Sequence, residues 1–465
     1  MKKVLYFTLL YFTLLSSVTM SAQDVNLFTE LGSDATALTL EEIKVLDFYQ
    51  QKPTTNSVKL VRVAENFSNY AELRFRPIGQ ELQRTGRKSS VTIEDASITN
   101  VWVGNLEETN GGGHLILFNT PLGTMGSMIN GDKTVELFPL RPDISVYVES
   151  NNDTNPVGDC PDIDESIASA ASTLLCEEAS NCETTVDVLL LIHSNAMFAL
   201  SPIVALFPKG LNMPTTPVPY PSKSMIKDKM QKEIARTNLA FLNSDIKNKK
   251  LRLAGVEYID VVLSKDMGED LDLIVGSPFV KQFRVSSRAD IVVVITNQKY
   301  PDGFGLATQF PYAPSRAYCI VEASTIGGSR YTFSHEVGHL LGAEHDTDQK
   351  PGCAHGHELS NSRGTILAAV ASRILHYSNP EINYNGEVTG IVDKEDNARK
   401  MKNSACIIGT FSQNPNNNSL NLMIGKEDMA CNSTSQYTAL IISAFIGTTG
   451  FWSVSCSAPN KCPTS

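Results

Sequence analysis

Beyond its N-terminal stretch, the 465-residue chain has no run of the roughly 20 apolar residues that a membrane helix needs, so no helical span is expected downstream. Basic charge is in short supply: the formal net charge is −11, which argues against a nucleic-acid partner, since that wants a basic face. No cysteine occurs before Cys160, no internal repeat is visible, and histidine is rare, with eight in the whole chain. What remains is ordinary globular composition, 42% apolar and 19% charged, in a chain too long for one compact core.

The N-terminus reads as a targeting segment. Lys2 and Lys3 precede an almost unbroken apolar run over 4–18, and small and polar residues follow, ending in Thr19-Met20-Ser21-Ala22. About 15 apolar residues is short for a membrane span and right for a signal peptide. No cysteine follows the run, which speaks against a lipid anchor. A secreted, extracellular protein is expected, with residues 1–22 as signal peptide. Nine cysteines fit that compartment, and the odd count leaves at least one thiol unpaired or paired between chains.

Residues 23–150 form a β-rich module, with short strands expected at 57–63, 71–77, 90–98, 114–119, 134–140 and 144–149. Residues 151–183 are acidic, rich in Ala and Ser, and carry three cysteines; they read as an exposed connector where nicking is easiest. From 184 the pattern changes. The run at 186–192 suits a strand covered on both faces, 224–244 carries a helical apolar stripe, and 251–262, 291–296 and 316–323 are further strands. Strands alternating with helix predict an α/β layer with a largely parallel sheet. The segment 413–465 opens with an Asn-rich linker and continues as a small β-rich tail.

One constellation carries chemistry: His335-Glu336-Val-Gly-His339-Leu-Leu-Gly342-Ala-Glu-His345-Asp346. Histidines four apart stack on one face of a helix, so both imidazoles reach one ion. Gly342 tolerates positive φ, lets the helix end and turns the chain back, so that His345 arrives as third ligand. Three neutral imidazoles leave the fourth position of Zn²⁺ open for water, the catalytic rather than the structural pattern. Glu336 is not a ligand; it is placed to take a proton from the zinc-bound water that attacks a peptide carbonyl.

At these residues the chain resembles the metzincin clan of zinc peptidases, and Asp346 directly after the third histidine resembles its adamalysin, or reprolysin-like, branch. Gly303-Phe-Gly-Leu-Ala307, Arg363-Gly364-Thr365-Ile366-Leu367, His376-Tyr-Ser-Asn-Pro380 and Asp396-Asn397-Ala398-Arg399 extend the resemblance to secreted, bacterial-type members over about 184–410. The resemblance implies an α/β (α+β) catalytic domain over 184–412, with a five-stranded mixed sheet and an active-site helix beneath it, preceded by a β-rich propeptide at 23–150. It implies a substrate strand added along an edge strand, here taken as 316–323, and Asp346 as a buried structural acid. The clan carries a methionine in a tight turn under the ligands; this chain has Leu367 there, with no Met between Asp346 and Met401. Leucine has similar volume, so the floor is expected to hold.

The unpaired thiol suggests latency. Cys160, in Val157-Gly158-Asp159-Cys160-Pro161, is a candidate switch that occupies the metal as thiolate; Asp159 or Asp162 is an alternative, and pairing of Cys160 with Cys176 or Cys182 is the plainer one. Cys319, Cys353 and Cys406 are expected to supply disulfides, His355 and His357 to be surface loop residues, and His376 to line a pocket. Tyr377 as an oxyanion donor is the less favoured reading. The expected function is a monomeric, zymogen-derived zinc endopeptidase acting on protein or peptide substrates. A catalytically silent zinc protein that binds peptides or matrix is the competitor. Nothing in the sequence supports a calcium site.

Overall fold

The computed structural model describes residues 23–32, 37–107, 113–131, 133–151, 179–201, 222–301, 303–308, 313–347, 352–360 and 362–413, with three short strands beyond. The expected signal peptide, Cys160 and almost all of the connector lie outside the described residues.

The N-terminal module is a ten-stranded sheet with one helix. Its strands are β1 (Gln23–Asp24), β2 (Phe28–Glu30), β3 (Thr55–Val63), β4 (Glu72–Phe75), β5 (Arg84–Lys88), β6 (Thr99–Leu106), β7 (Gly113–Thr120), β8 (Gly123–Asn130), β9 (Lys133–Arg141) and β10 (Ile144–Asn151), and α1 (Leu40–Gln50) follows β2. The order across the sheet is β1-β4-β5-β6-β7-β8-β9-β10-β3-β2, antiparallel except where β1 meets β4. Alternation gives each strand two buried faces. On β7, Leu115 and Leu117 join a core with Trp102, Phe75 and Tyr147, while Ile116 and Phe118 point the other way into a second core with Tyr49 and Phe138. The expected strand at 90–98 is absent. Ser89 donates its amide to the Val103 carbonyl, and Val91 and Ile93 then leave the sheet to pack on the second core. Helix α1 starts at a capping box, with Thr39 and Glu42 satisfying each other's backbone amides.

The second domain is built on β11 (Thr184–His193), α2 (Met197–Leu200), α3 (Ser222–Asn243), β12 (Lys249–Ile259), α4 (Met267–Gly276), α5 (Pro278–Ser287), β13 (Ile291–Thr296), β14 (Gly305–Ala307), β15 (Tyr318–Glu322), α6 (Thr332–Leu340) and α7 (Asn397–Ile408). The five-stranded sheet runs β12-β11-β13-β15-β14, parallel except for β14. Both faces are covered. Val188, Leu190 and Ile192 lie in the core that α3, α6 and α7 enter, and Leu189 and Leu191 lie in the core shared with α4 and α5. The strand expected as the edge, 316–323, is internal: β15 pairs with β13 on one side and β14 on the other and is fully buried. The outer strand on that side is therefore the short β14, with β12 outermost on the other. Cys182 and Cys406 form a disulfide between the start of this domain and α7, which removes Cys182 as a partner for Cys160. Cys353 is also disulfide-bonded. Cys319, expected to bridge, is a free thiol buried in β15, where no cysteine stands across from it.

Beyond residue 413, the strands Met429–Cys431, Tyr437–Ala439 and Trp452–Val454 pair antiparallel. Among the described residues, no helix is long and apolar enough to cross a membrane.

Candidate metal centre and active site

The centre is assembled on α6. His335 and Glu336 are fully buried and His339 lies one turn on. Tyr331, in a left-handed conformation with φ 57°, turns the chain into the helix. At the other end Gly342 takes φ +85°, as its place after the helix predicted, and the chain reverses against α7. Any Cβ at Gly342 would also press on Lys400 and Ser404, each at 3.2 Å.

This reversal brings three imidazoles together. Nε2 of His335, His339 and His345 lie 3.0, 3.1 and 3.1 Å from one another. Zn–N bonds of 2.0–2.1 Å in a tetrahedron set ligand nitrogens about 3.3 Å apart, so the triangle is slightly tighter than, and close to, the size such an ion requires. Two of the other ring nitrogens are committed to backbone carbonyls. His335 Nδ1–H donates to the Ile366 carbonyl at 2.7 Å, and His339 Nδ1–H donates to the Ala343 carbonyl at 2.8 Å. Each bond fixes the tautomer that leaves Nε2 as a lone pair facing its neighbours. Burial, then the Arg373 charge and the two adjacent imidazoles, hold His335 well below the usual histidine range, so it stays neutral and able to ligate.

Glu336 packs against the outer strand. A Cβ added at Gly305 would overlap the Glu336 carboxylate, so β14 can lie this close only with glycine there. The buried Cys319 thiol is pushed up by desolvation and by the Glu336 charge.

The floor lies beneath Gly338, between the two helical ligands. A Cβ at Gly338 would sit 2.9 Å from Leu367 Cδ2 and 3.0 Å from Tyr377 Cε1. Leu367 is fully buried in the turn closed by the Ala368 amide on the Thr365 carbonyl, 3.0 Å. Asp346 accepts the Ala369 amide at 2.8 Å and so ties the third ligand to this turn; it is half-buried rather than buried. Arg373 donates to the Ala368 carbonyl at 2.8 and 3.0 Å and to the Arg330 carbonyl at 3.1 Å, linking the floor to the start of α6.

Several expectations change. Tyr377 is fully buried and donates its hydroxyl to the Ser334 carbonyl at 2.7 Å, which makes it a prop for α6 and not an oxyanion donor. His355 and His357 are not surface residues. His355 is 5% exposed and donates Nδ1–H to the His345 carbonyl at 2.9 Å, while His357 pairs with Glu395 at 2.5 Å. His376 is half-buried against Tyr384, and desolvation lowers it to about 4. Sequence reasoning missed Asn397, whose Oδ1 accepts the Glu344 amide beside His345 at 3.1 Å, and Ser378, which bonds the His355 carbonyl and the Asn397 amide. Both lie in segments the family resemblance quotes, but nothing in their spacing tells what they hold.

Comparison with known proteins agrees with this geometry. Residues 220–385 match the family Reprolysin_5, described as metallo-peptidase family M12. A protein of Stenotrophomonas maltophilia (strain R551-3) named peptidyl-Asp metalloendopeptidase is 26% identical over 395 residues, 77% of this chain and 87% of the relative. A protein of the same name from Xanthomonas campestris pv. campestris is 29% identical over 197 residues, 39% of this chain and 46% of the relative. A solved structure described as "Structure of a chaperone-substrate complex" superposes at TM-score 0.40 with 17% identity, over 62% of this chain and 39% of that one, a score too low to bear on the fold.

Proposed function

We propose that the chain, whose residues 220–385 match metallo-peptidase family M12, is a secreted zinc metalloendopeptidase, made as a latent zymogen, in which Glu336 is the general base for the attacking water. The observation that supports this best is the triangle of Nε2 atoms, each about 3 Å from the other two, with two of the opposite ring nitrogens committed to backbone carbonyls.

His335, His339 and His345 would hold the ion. When bound, Zn²⁺ supplies Lewis acidity, which polarises a peptide carbonyl and lowers the pKa of water toward about 7. The protein's own groups do the rest. Glu336 takes the proton from water and returns it to the leaving amine, a role worth roughly 10²–10⁴ in rate. An extended peptide would add to the outer strand β14, the place the resemblance had assigned to 316–323. The relatives' name suggests cleavage beside aspartate.

For latency we assign Cys160, as thiolate, the position water would take. A secreted Cys160→Ser protein that stays as latent as wild type removes that assignment. The competing reading is a silent peptide-binding protein, for which Leu367 in place of the clan's methionine is the feature in favour and Glu336 beside His335 the feature against. Incubating the trimmed chain with casein, and with peptide pairs differing only in Asp or Asn, tests the proposal. Cleavage should vanish with chelator and in Glu336→Ala. Cleavage that persists in Glu336→Ala removes Glu336 as base, and equal cleavage of both peptides removes the aspartyl preference.

A further inference from the structure

Helix α3 carries Asp228, Lys229, Lys232, Glu233 and Arg236, yet every one of them is buried. A helix with that many charges ordinarily turns them to water. Here one side of α3 packs on β12 and α6, and β6, β7 and β8 of the N-terminal module cover another. Lys232 and Arg236, and the partly exposed Lys227 beside them, meet partners on that module. Glu136 on β9 pairs with Lys232 and approaches Arg236 at 3.9 Å, and Asp95 takes Lys227 at 2.6 Å. Apolar contact is continuous as well: Ile116, Phe118 and Phe138 of the module share one core with Met230, Ile234 and Val337.

Two side chains of α3 bond in both directions. Arg236 donates to Ser127 of the module at 2.9 Å and to the carbonyls of Gly327 and Gly328, just before α6, at 3.3 and 3.5 Å. Asn243 exchanges hydrogen bonds with Asn105 of the module, 2.6 and 3.2 Å, and donates to the Leu375 carbonyl, after the Leu367 turn, at 3.1 Å. Thr237 and Ser334 bond at 2.8 Å between α3 and α6. A Cβ at Gly327 would lie 2.6 Å from the Glu136 carboxylate, and His114 of β7 lies 5.9 Å, ring to ring, from Tyr331. The module thus reaches the segment before the helix through Arg236 and directly at Gly327 and Tyr331, and the segment after it through Asn243.

We propose that the N-terminal module is a retained, non-covalent partner of the catalytic domain. After a cut within 152–178 it stays docked on α3, and Glu136 and Asn105 act as positioning residues for the segments that hold α6. The proposal takes from the zymogen reading only that the connector is cut. Parting the two would expose a shared apolar core to water, as in an obligate interface, and this holds them together when the covalent link goes.

The test uses the full chain with a recognition sequence for a specific protease placed in 152–178. After complete cutting, gel filtration at neutral pH and moderate salt should return both fragments together at the mass of the intact chain, with zinc retained. Separation of the fragments without denaturant overturns the proposal. Zinc release to a chelator reads the positioning role. Glu136→Gln should release about tenfold faster, and Glu136→Asp should recover most of the loss. Asn105→Ala tests the second route should Glu136→Gln not fold. If Glu136→Gln and Asn105→Ala, both folded, release zinc no faster than wild type, the positioning role is wrong. Elution and metal content need no substrate, so failure of the peptidase reading would show separately, as a co-eluting complex that holds zinc and cleaves nothing.

Discussion

Replacing Leu367 probes the floor of the centre with a magnitude the structure sets. The side chain is fully buried, and its Cδ2 would lie 2.9 Å from a Cβ on Gly338. Truncation to alanine opens a cavity directly below α6, between His335 and His339, and next to the Ile366 carbonyl that orients His335. Burial this complete puts Leu367→Ala in the range of about 2–5 kcal/mol lost. Leu367→Met conserves volume and should cost less than about 1.5 kcal/mol. Urea unfolding of the three proteins, with zinc release to a chelator measured on the same samples, reads both effects. The alanine variant should release zinc faster and the methionine variant should resemble wild type. The reasoning is refuted if Leu367→Ala loses under about 1 kcal/mol and holds zinc unchanged. If only Leu367→Met cleaves peptides, the native chain is an inactive relative.

Three further outcomes are expected. Gly305→Ala drives a methyl into the Glu336 carboxylate; cleavage should fall by about tenfold or more while zinc stays bound, given what small misplacements cost, and a drop in zinc content instead would mean the strand disturbs the ligands. Asp346→Ala leaves the Ala369 amide without its acceptor and should cost about 1–2 kcal/mol in urea unfolding; no loss would remove its structural role. His114 is buried, neither ring nitrogen has a hydrogen-bond partner among the described residues, and desolvation, Arg236 and Lys232 hold it well below the usual range. Below about pH 6.5 the unfolded chain takes up a proton there that the folded chain refuses, so stability falls with pH. His114→Leu should therefore unfold at a lower pH than wild type, and an equal or higher acid midpoint would contradict the assignment.

The centre was legible in the sequence because its parts are local. His335 and His339 lie one turn apart, and Gly342 has one good use at a helix end. The sheet was legible where strands are apolar on both faces, as β11 and β13 are. What escaped were relations set by tertiary pairing. Nothing in 316–323 says that the three-residue β14 caps its far side. Strand β8, Gly-Thr-Met-Gly-Ser-Met-Ile-Asn, is too poor in β-branched residues to stand out, yet it is held between β7 and β9. His355 looked like a surface loop residue and the part Asn397 plays went unread, because their partners, the His345 carbonyl and the Glu344 amide, are backbone atoms that no side-chain pattern records.

X-ray absorption at the zinc edge of the metal-loaded chain, with zinc content determined on the same sample, tests the assignment most directly. One ion per chain, bound by three imidazole nitrogens at about 2.0–2.1 Å, and reduced to fewer imidazoles in His345→Ala, is the expected result. Well-folded protein with no stoichiometric zinc, or with an imidazole count that His345→Ala does not change, would contradict it.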